Sequence, residues 1–290
     1  NKISKYMKKV GYECRVMGVP KTIDNDLFGT DHCPGFASAA KYIATSVMEI
    51  ARDARVYNVG QITVIECMGR HAGWLTAAAS LPNTKEPCCD FIYLPEVDFD
   101  MDKFIADVSE CYKKNGNCIV AVSEGIHYAD GRFVSEAKTA ATDGFGHAQL
   151  GGLAALLANI LKEKTGAKVR GIELSLLQRC AAHCASQTDI DEAYLSGKTA
   201  VEEMLKGTTD KMVGFACDRT NGYKCEAKLF DLADVANFEK KFPREWINAE
   251  GNNVTEEFAK YALPLIQGET KLEKEDGLPR FARLKKVFAK

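Results

Sequence analysis

The run Lys21-Thr22-Ile23-Asp24-Asn25-Asp26 brings an ammonium, a hydroxyl and two carboxylates together within six residues. A carboxylate within hydrogen-bond reach of an alcohol can take its proton as the oxygen attacks, and Asp24 or Asp26 fits that role. A phosphoryl group in transfer needs a cation and a hydroxyl nearby, which Lys21 and Thr22 supply. Asp24-Asn25-Asp26 also suits a solvated turn in which Asn and Asp bond their own backbone.

A second group of candidates, Met68-Gly69-Arg70-His71-Ala72-Gly73-Trp74, leaves an apolar run and opens a helical pattern. That order predicts free backbone N–H groups and a helix dipole aimed at an anion. Gly69 allows close approach of the backbone, and Arg70 can grip a phosphate. Glu124, after the apolar run Cys118–Ser123, can accept hydrogen bonds from sugar hydroxyls. Arg179, after Leu176-Leu177-Gln178, adds a cation ahead of a helical Cys180–Cys184 stretch. Asp143-Gly144-Phe145-Gly146-His147, with Gly151-Gly152, is a weak phosphate-loop signal. His71 and His147 border these groups, whereas His32, His127 and His183 read as structural or surface residues.

The elements that must position these residues alternate between β-type runs and helical patterns, the signature of a doubly wound α/β sheet. Strands are predicted at Glu13–Gly18, Ile62–Cys67, Asp90–Leu94, Cys118–Ser123, Lys168–Glu173 and Met212–Cys217. Helices are predicted at Phe36–Arg52, Ala72–Ser80, Met101–Lys114, Ala148–Lys164 and Asp189–Leu205, capped by Asp100 and Asp189 and stopped by Gly166 and Gly207. Further on come a hairpin across Asn221-Gly222, helices near Leu232–Lys241 and Glu256–Leu265, and a charged surface tail, Lys271–Lys290. Candidate loops follow strands, where open α/β sheets place their ligands. The amphipathic Lys2–Lys9, already helical at a first residue that is Asn1, reads as the continuation of a longer protein.

With 290 residues and 46% hydrophobic content the chain can bury a substantial core. A formal charge of −2 offers no electrostatic case for nucleic acid or an anionic membrane. No apolar run approaches the about 20 residues of a membrane span, and no charged-then-apolar leader opens the chain. The eleven cysteines form no CxxC pair, so zinc is not expected; most read as small buried hydrophobes of a reducing cytosol.

Pro20-Lys21-Thr22-Ile23-Asp24-Asn25-Asp26 resembles the catalytic loop of the phosphofructokinases, in the lysine form of their pyrophosphate-dependent members. Met68–Gly73 resembles that family's second signature, in the right order and at the right distance. The resemblance runs from Asn1 to about Ile266. It implies an α/β fold of two doubly wound, mostly parallel Rossmann-like sheets, the first domain incomplete. Residues 1–36 and 178–225 would form part of a phosphoryl-donor domain, and 37–177 with 226–290 a sugar-phosphate domain.

The reaction implied is phosphoryl transfer from pyrophosphate to the 1-hydroxyl of fructose 6-phosphate, reversible, with Mg2+. Asp24 would be the base. Thr22, Ile23 and Asp24 would hold the reactive end of the sugar, Met68, Gly69, Arg70 and Glu124 its body, and Arg179 its 6-phosphate. Arg70 would also neutralise the moving phosphoryl. ATP-using relatives usually carry Gly at the position of Lys21, so this lysine favours pyrophosphate. Asp26 is a possible magnesium ligand, the principal one being expected in an amino-terminal donor segment with glycine loops of the GGDDS type, of which this sequence has none. Two positions depart from the family pattern: Leu176 stands where a His or Tyr is common, and Gln61 where many members place an Arg that reaches the adjacent subunit. The resemblance further implies a cytoplasmic homodimer or homotetramer of glycolysis. The alternatives are an ATP-dependent 6-phosphofructokinase and a non-catalytic sugar-phosphate-binding subunit.

Overall fold

In the computed structural model the described residues are 1–56, 59–135, 152–236 and 238–288. The chain begins with α1 (Lys2–Lys9), β1 (Met17–Gly18), α2 (Phe36–Ala54), β2 (Ile62–Cys67), α3 (Trp74–Ala77), β3 (Phe91–Tyr93), α4 (Met101–Asn115) and β4 (Cys118–Ser123). It continues through α5 (Leu153–Thr165), β5 (Val169–Glu173), α6 (Gln187–Leu205), β6 (Lys211–Asp218), β7 (Lys224–Asp231), α7 (Leu232–Val235) and α8 (Glu256–Ala262) to β8 (Lys274–Glu275) and β9 (Leu278–Pro279).

β3, β4, β2 and β5, in that order, make an all-parallel sheet. β2 and β4 are buried at every residue, as central strands covered on both faces must be. Their side chains divide by the strand period of two. Ile65, Cys67, Ile119 and Ala121 join a core with α2, α3 and α8. Ile62, Val64, Cys118, Val120 and Val122 join another with Phe104 and Val108 of α4 and Leu153, Leu157 and Leu161 of α5. A second sheet pairs β1 parallel to β6, and β6 antiparallel to β7 across the expected Asn221-Gly222 hairpin. Parallel strands put the loops after β2, β4 and β5 on one edge of the larger sheet.

Several elements differ from expectation, each for a local reason. The first strand shrinks from Glu13–Gly18 to Met17–Gly18, because β6 starts at Lys211, opposite Met17, and leaves the upstream residues no strand to pair with. The helix expected over Ala72–Ser80 is α-helical only over Trp74–Ala77, then a 3-10 turn over Ala78–Thr84. Pro82, inside the 3-10 turn, has no N–H to donate to the Ala78 carbonyl, so an α pattern cannot run on through this segment. The Leu232–Lys241 helix ends at Val235, and Glu239 instead bridges to Leu27. Cys180–Cys184 is not a helix but a bend with a three-residue 3-10 turn, and α6 starts only at Gln187. Residues 148–151 of the expected Ala148–Lys164 helix lie outside the described residues.

Asp100 and Gly166 close α4 and α5 as expected, but Asp189 does not cap its own helix. Ser186 takes that place, its hydroxyl accepting from the Asp189 amide. The buried Asp189 carboxylate reaches instead to the first turn of α2, accepting from Gly35 N (2.8 Å) and Ser38 N (3.0 Å). α2 begins on a glycine with no side chain to cap it, so the acceptor comes from α6. Asp189→Ala is therefore expected to lower the unfolding free energy by about 0.5–2 kcal/mol, the range for a lost helix cap. Urea titration should show a lower midpoint at unchanged slope, with Asp189→Asn intermediate. An Asp189→Ala midpoint equal to wild type would mean that the α2 amides are satisfied without it.

Candidate active site

The loops after β1, β2 and β4, with the 3-10 turn Ser175–Arg179 after β5, surround an open cleft of about 720 Å3. Lys21, Thr22, Ile23, Asp24, Asp26, Met68, Arg70, Glu124 and Arg179 all line it. These candidate side chains, drawn from four separate loops, thus share a single cleft. Gly69 lies behind that wall: its amide donates to Glu124 Oε1 (3.2 Å) and its carbonyl accepts from the Ser123 hydroxyl. His71 lines the cleft as expected, and Glu239 joins it from the distant segment after α7. His147, with the Asp143–Gly151 string, lies outside the described residues.

The loop from Lys21 to Asp31 is held from outside. Asp24 N donates to Thr22 Oγ1 (3.1 Å), which closes the first turn. Asn25 sits fully buried at φ 58°, a left-handed conformation that asparagine tolerates better than most residues. Its side chain donates to Tyr261 Oη (2.9 Å) and accepts from Cys33 N (2.9 Å), so the middle residue of Asp24-Asn25-Asp26 anchors the loop while its neighbours line the cleft. Lys240 is half-buried, its ammonium turned inward to donate to the carbonyls of Asp31 (2.7 Å) and Thr30 (3.3 Å) and to Asn25 Oδ1 (3.4 Å). The same ammonium lies 4.8 Å from the centre of the Trp74 ring, and Lys240 N donates to Asp26 O (2.7 Å).

The loop after β2 is wired differently from expectation. Three of its amides are already engaged: Met68 N by Gln178 Oε1 (3.1 Å), Gly69 N by Glu124, and Gly73 N by Glu96 Oε1 (3.0 Å). α3 is only four residues long. The predicted cradle of free N–H groups is not formed there, and the cation on this wall is the Arg70 side chain. Gly125 lets the loop lie against the end of β4, because a Cβ there would come within 1.9 Å of the Arg70 carbonyl oxygen.

Burial raises the Asp24 carboxyl above its usual range, and the neighbouring Asp26 raises it further against Lys21, Thr22 and Arg70. Glu124 is raised by burial against its bond from Gly69 N and the nearby Arg70. Glu66, buried in β2 with its Oε2 accepting from Ala154 N (2.7 Å), is pushed up to about 7 by burial, with Glu173 and Glu124 adding to it. The cleft therefore sets acids of raised basicity beside the cations Lys21, Arg70 and Arg179. Such a surface can take a proton from a hydroxyl and hold phosphate groups.

Gln61 is remote from this chemistry, buried at the start of β2 and accepting from Arg170 Nε (3.2 Å). Sequence reasoning missed Lys240, Gln178, Glu96 and Tyr261. Lys240 stands in the charged string Glu239-Lys240-Lys241, which carries no sign of an inward-facing ammonium. Gln178 was legible only as the neighbour of Arg179.

The phosphofructokinase family matches residues 1–203. A pyrophosphate–fructose 6-phosphate 1-phosphotransferase of Methylococcus capsulatus is 44% identical over 286 residues, covering 98% of this chain and 68% of that protein. One of the same description from Halomonas elongata is 43% identical over 288 residues, again 98% of this chain and 68% of the relative. Among solved structures, a pyrophosphate-dependent phosphofructokinase of Nitrosospira multiformis superposes with a TM-score of 0.88 at 38% identity, covering 99% of this chain and 68% of that one. The corresponding enzyme of Marinobacter aquaeolei gives 0.85 at 38% identity, covering 96% and 67%.

The Lys240 clamp makes a prediction that needs no substrate. Lys240→Met leaves the Asp31 carbonyl without its ammonium donor and is expected to cost about 1–3 kcal/mol of stability. Desolvation lowers the Lys240 pKa from 10.5 to about 8, so between those values the unfolded chain holds a proton that the folded protein has released. Where the unfolded state binds more protons, stability rises with pH. The wild type should therefore gain on Lys240→Met across that window, and denaturant titrations at its two ends should show the gap widening. A constant or shrinking gap would contradict the inward-facing ammonium.

Proposed function

Because the chain belongs to the phosphofructokinase family, we propose that it transfers a phosphoryl group from pyrophosphate to the 1-hydroxyl of fructose 6-phosphate, reversibly. The observation that carries this reading is the convergence of Lys21, Asp24, Arg70, Glu124 and Arg179 on one cleft. A proton acceptor, a sugar-hydroxyl acceptor and three cations are the groups such a transfer needs. Asp24 takes the proton of the 1-hydroxyl as the oxygen attacks. Burial and the neighbouring Asp26 raise its basicity, which suits it to that role. Glu124, with Oε1 committed to the Gly69 amide, accepts sugar hydroxyls on its other oxygen. Arg70 stabilises charge on the group in flight, and Arg179, exposed on the cleft rim, receives the 6-phosphate. Lys21, exposed at the entrance of the loop, neutralises pyrophosphate where a nucleotide's α-phosphate would need room. Catalysis of this kind rests on positioning and charge rather than on a covalent intermediate.

The donor set also fits magnesium. Asp26 lines the cleft close enough to Asp24 to raise its pKa, and a hard cation is commonly held by one or two carboxylates plus substrate phosphate oxygens. Asp26, together with pyrophosphate, would hold the ion, which when bound offsets charge on the donor. The same reading makes the protein a cytoplasmic enzyme of glycolysis, acting as a homodimer or homotetramer.

Steady-state kinetics with both donors test this function. Asp24→Asn is expected to lower kcat by about 10²–10⁴-fold while the KM for fructose 6-phosphate stays within a few-fold, since proton removal matters only in the transition state. A variant keeping a tenth of the activity would move the base elsewhere. In the wild type the acid limb of kcat/KM should fall above the ordinary aspartate value, activity being lost as pH drops through the raised Asp24 pKa.

Lys21→Gly should depress pyrophosphate use by about 10²-fold or more without creating comparable ATP use. Wild-type preference for ATP would overturn the donor assignment and leave the sugar side standing.

A further inference from the structure

Cys217 and Cys225 face each other across the hairpin of β6 and β7. The backbone pattern fixes the kind of pair they form. Phe215 turns both its amide and its carbonyl away from β7, toward Thr30 Oγ1 (2.9 Å) and Asp31 N (2.9 Å). Phe215 and Ala227 are therefore a non-hydrogen-bonded pair, and so, two residues along, are Cys217 and Cys225. In such pairs the Cα atoms are about 4.5 Å apart and the side chains approach closely, within the span that a disulfide bridges.

The surroundings of Cys217 are those of a reactive thiol. Its Sγ lies 3.9 Å from His32 Nδ1 and 3.5 Å from Tyr223 Oη. His32 is fully buried, held between Asp31 (2.9 Å) and Glu192 (2.6 Å) and stacked on Phe215. Burial alone would strip its proton, but the hydrogen bonds to Asp31, Cys217 and Glu192 prevail and push it up to about 10, so it carries a charge at neutral pH. The Cys225 thiol first, and then the imidazolium, hold the Cys217 thiol below its usual range against burial and the nearby Asp31 carboxylate, while Cys225 itself is raised; the Tyr223 hydroxyl gives its proton to Glu192 Oε1 (2.5 Å). Tyr223 also lines an open cavity of about 850 Å3, and both cysteines are themselves partly exposed.

Asp31, His32 and Cys217 place their ligand atoms within 4.8 Å of one another, which raises a metal reading. Arg219, however, grips both Asp31 oxygens (2.7 and 2.8 Å), and both His32 ring nitrogens face carboxylates, so two of the three groups are committed.

We infer that Cys217 is a site of oxidation by small hydroperoxides, with Cys225 as the thiol that closes a disulfide across the hairpin. The Cys217 thiolate attacks a peroxide oxygen, forming an S–O bond as the O–O bond breaks, and the departing oxygen takes a proton and leaves as water or an alcohol. The sulfur is oxidised to a sulfenic acid and the peroxide is reduced. Cys225 then attacks that sulfur: the S–S bond forms, the S–O bond breaks, and the Cys225 proton leaves with the hydroxide as water.

The test is to expose the reduced protein to hydrogen peroxide at neutral pH, alkylate the remaining thiols at intervals, digest, and map the peptides. A peptide linking Cys217 to Cys225 should accumulate about tenfold faster than the exposed Cys180 is lost to oxidation, and a dithiol reductant should reverse it. Cys225→Ser should stop at a sulfenic acid on Cys217, trapped by dimedone. Cys217→Ser should leave Cys225 alkylatable. Cys217 remaining alkylatable while Cys180 or the close pair Cys111 and Cys118 oxidises would overturn the assignment, as would absence of a dimedone adduct in Cys225→Ser.

Discussion

The loop from Lys21 to Asp31 has no hydrogen-bond ladder of its own, so its polar backbone groups must find partners supplied by other parts of the chain. The Lys240 ammonium supplies the strongest of these, binding the carbonyls of Thr30 and Asp31 and the side chain of Asn25 at once. Tyr261 supplies another through Asn25, and the Thr30 hydroxyl joins the loop to β6 through Phe215 N. Beneath these contacts Trp74 packs against Phe242 (5.0 Å), Tyr261 (5.2 Å) and Trp246 (6.0 Å), an aromatic bed shared by α3, α8 and the segment between α7 and α8. The position of Asp24 is thus set by residues more than two hundred places further along the chain.

Electrostatically the cleft is a compromise. Carboxylates gathered at the ends of several strands would repel one another, and burial makes each costlier to ionise. Arg70 lowers both Asp24 and Glu124, so one guanidinium offsets part of the cost on two walls. The result is acids raised in basicity beside cations suited to a ligand rich in negative charge.

Much of this was legible in the sequence because the larger sheet obeys simple periodicities. Ile62–Cys67 and Cys118–Ser123 are short apolar runs bounded by polar turns, and each became a fully buried strand with the bounds expected of it. The candidate residues that line the cleft could be picked out because they follow strands of the two sheets. What escaped was non-local. Asp189 looked like a cap for its own helix because sequence distance is the only distance a sequence displays; in space it was nearer to Gly35. The free amides predicted after β2 were engaged by Gln178, Glu124 and Glu96, none adjacent in the chain. Cysteines read as mostly buried proved mixed: Cys33, Cys67, Cys88, Cys89 and Cys118 are buried, Cys180 is exposed, and the remaining five are intermediate.

Gly125 has no side chain and no role in proton or phosphate chemistry, yet it decides where Arg70 can be. Any larger residue would strike the Arg70 carbonyl, and the strand end and the arginine loop would have to separate. The sequence space open to this wall of the cleft is therefore narrow in an asymmetric way. Arg70 can be exchanged with its backbone left in place, whereas a change at Gly125 displaces the backbone whatever residue Arg70 has become. A designer seeking a new ligand for this pocket has freedom in the side chains that point inward and almost none in the glycine behind them.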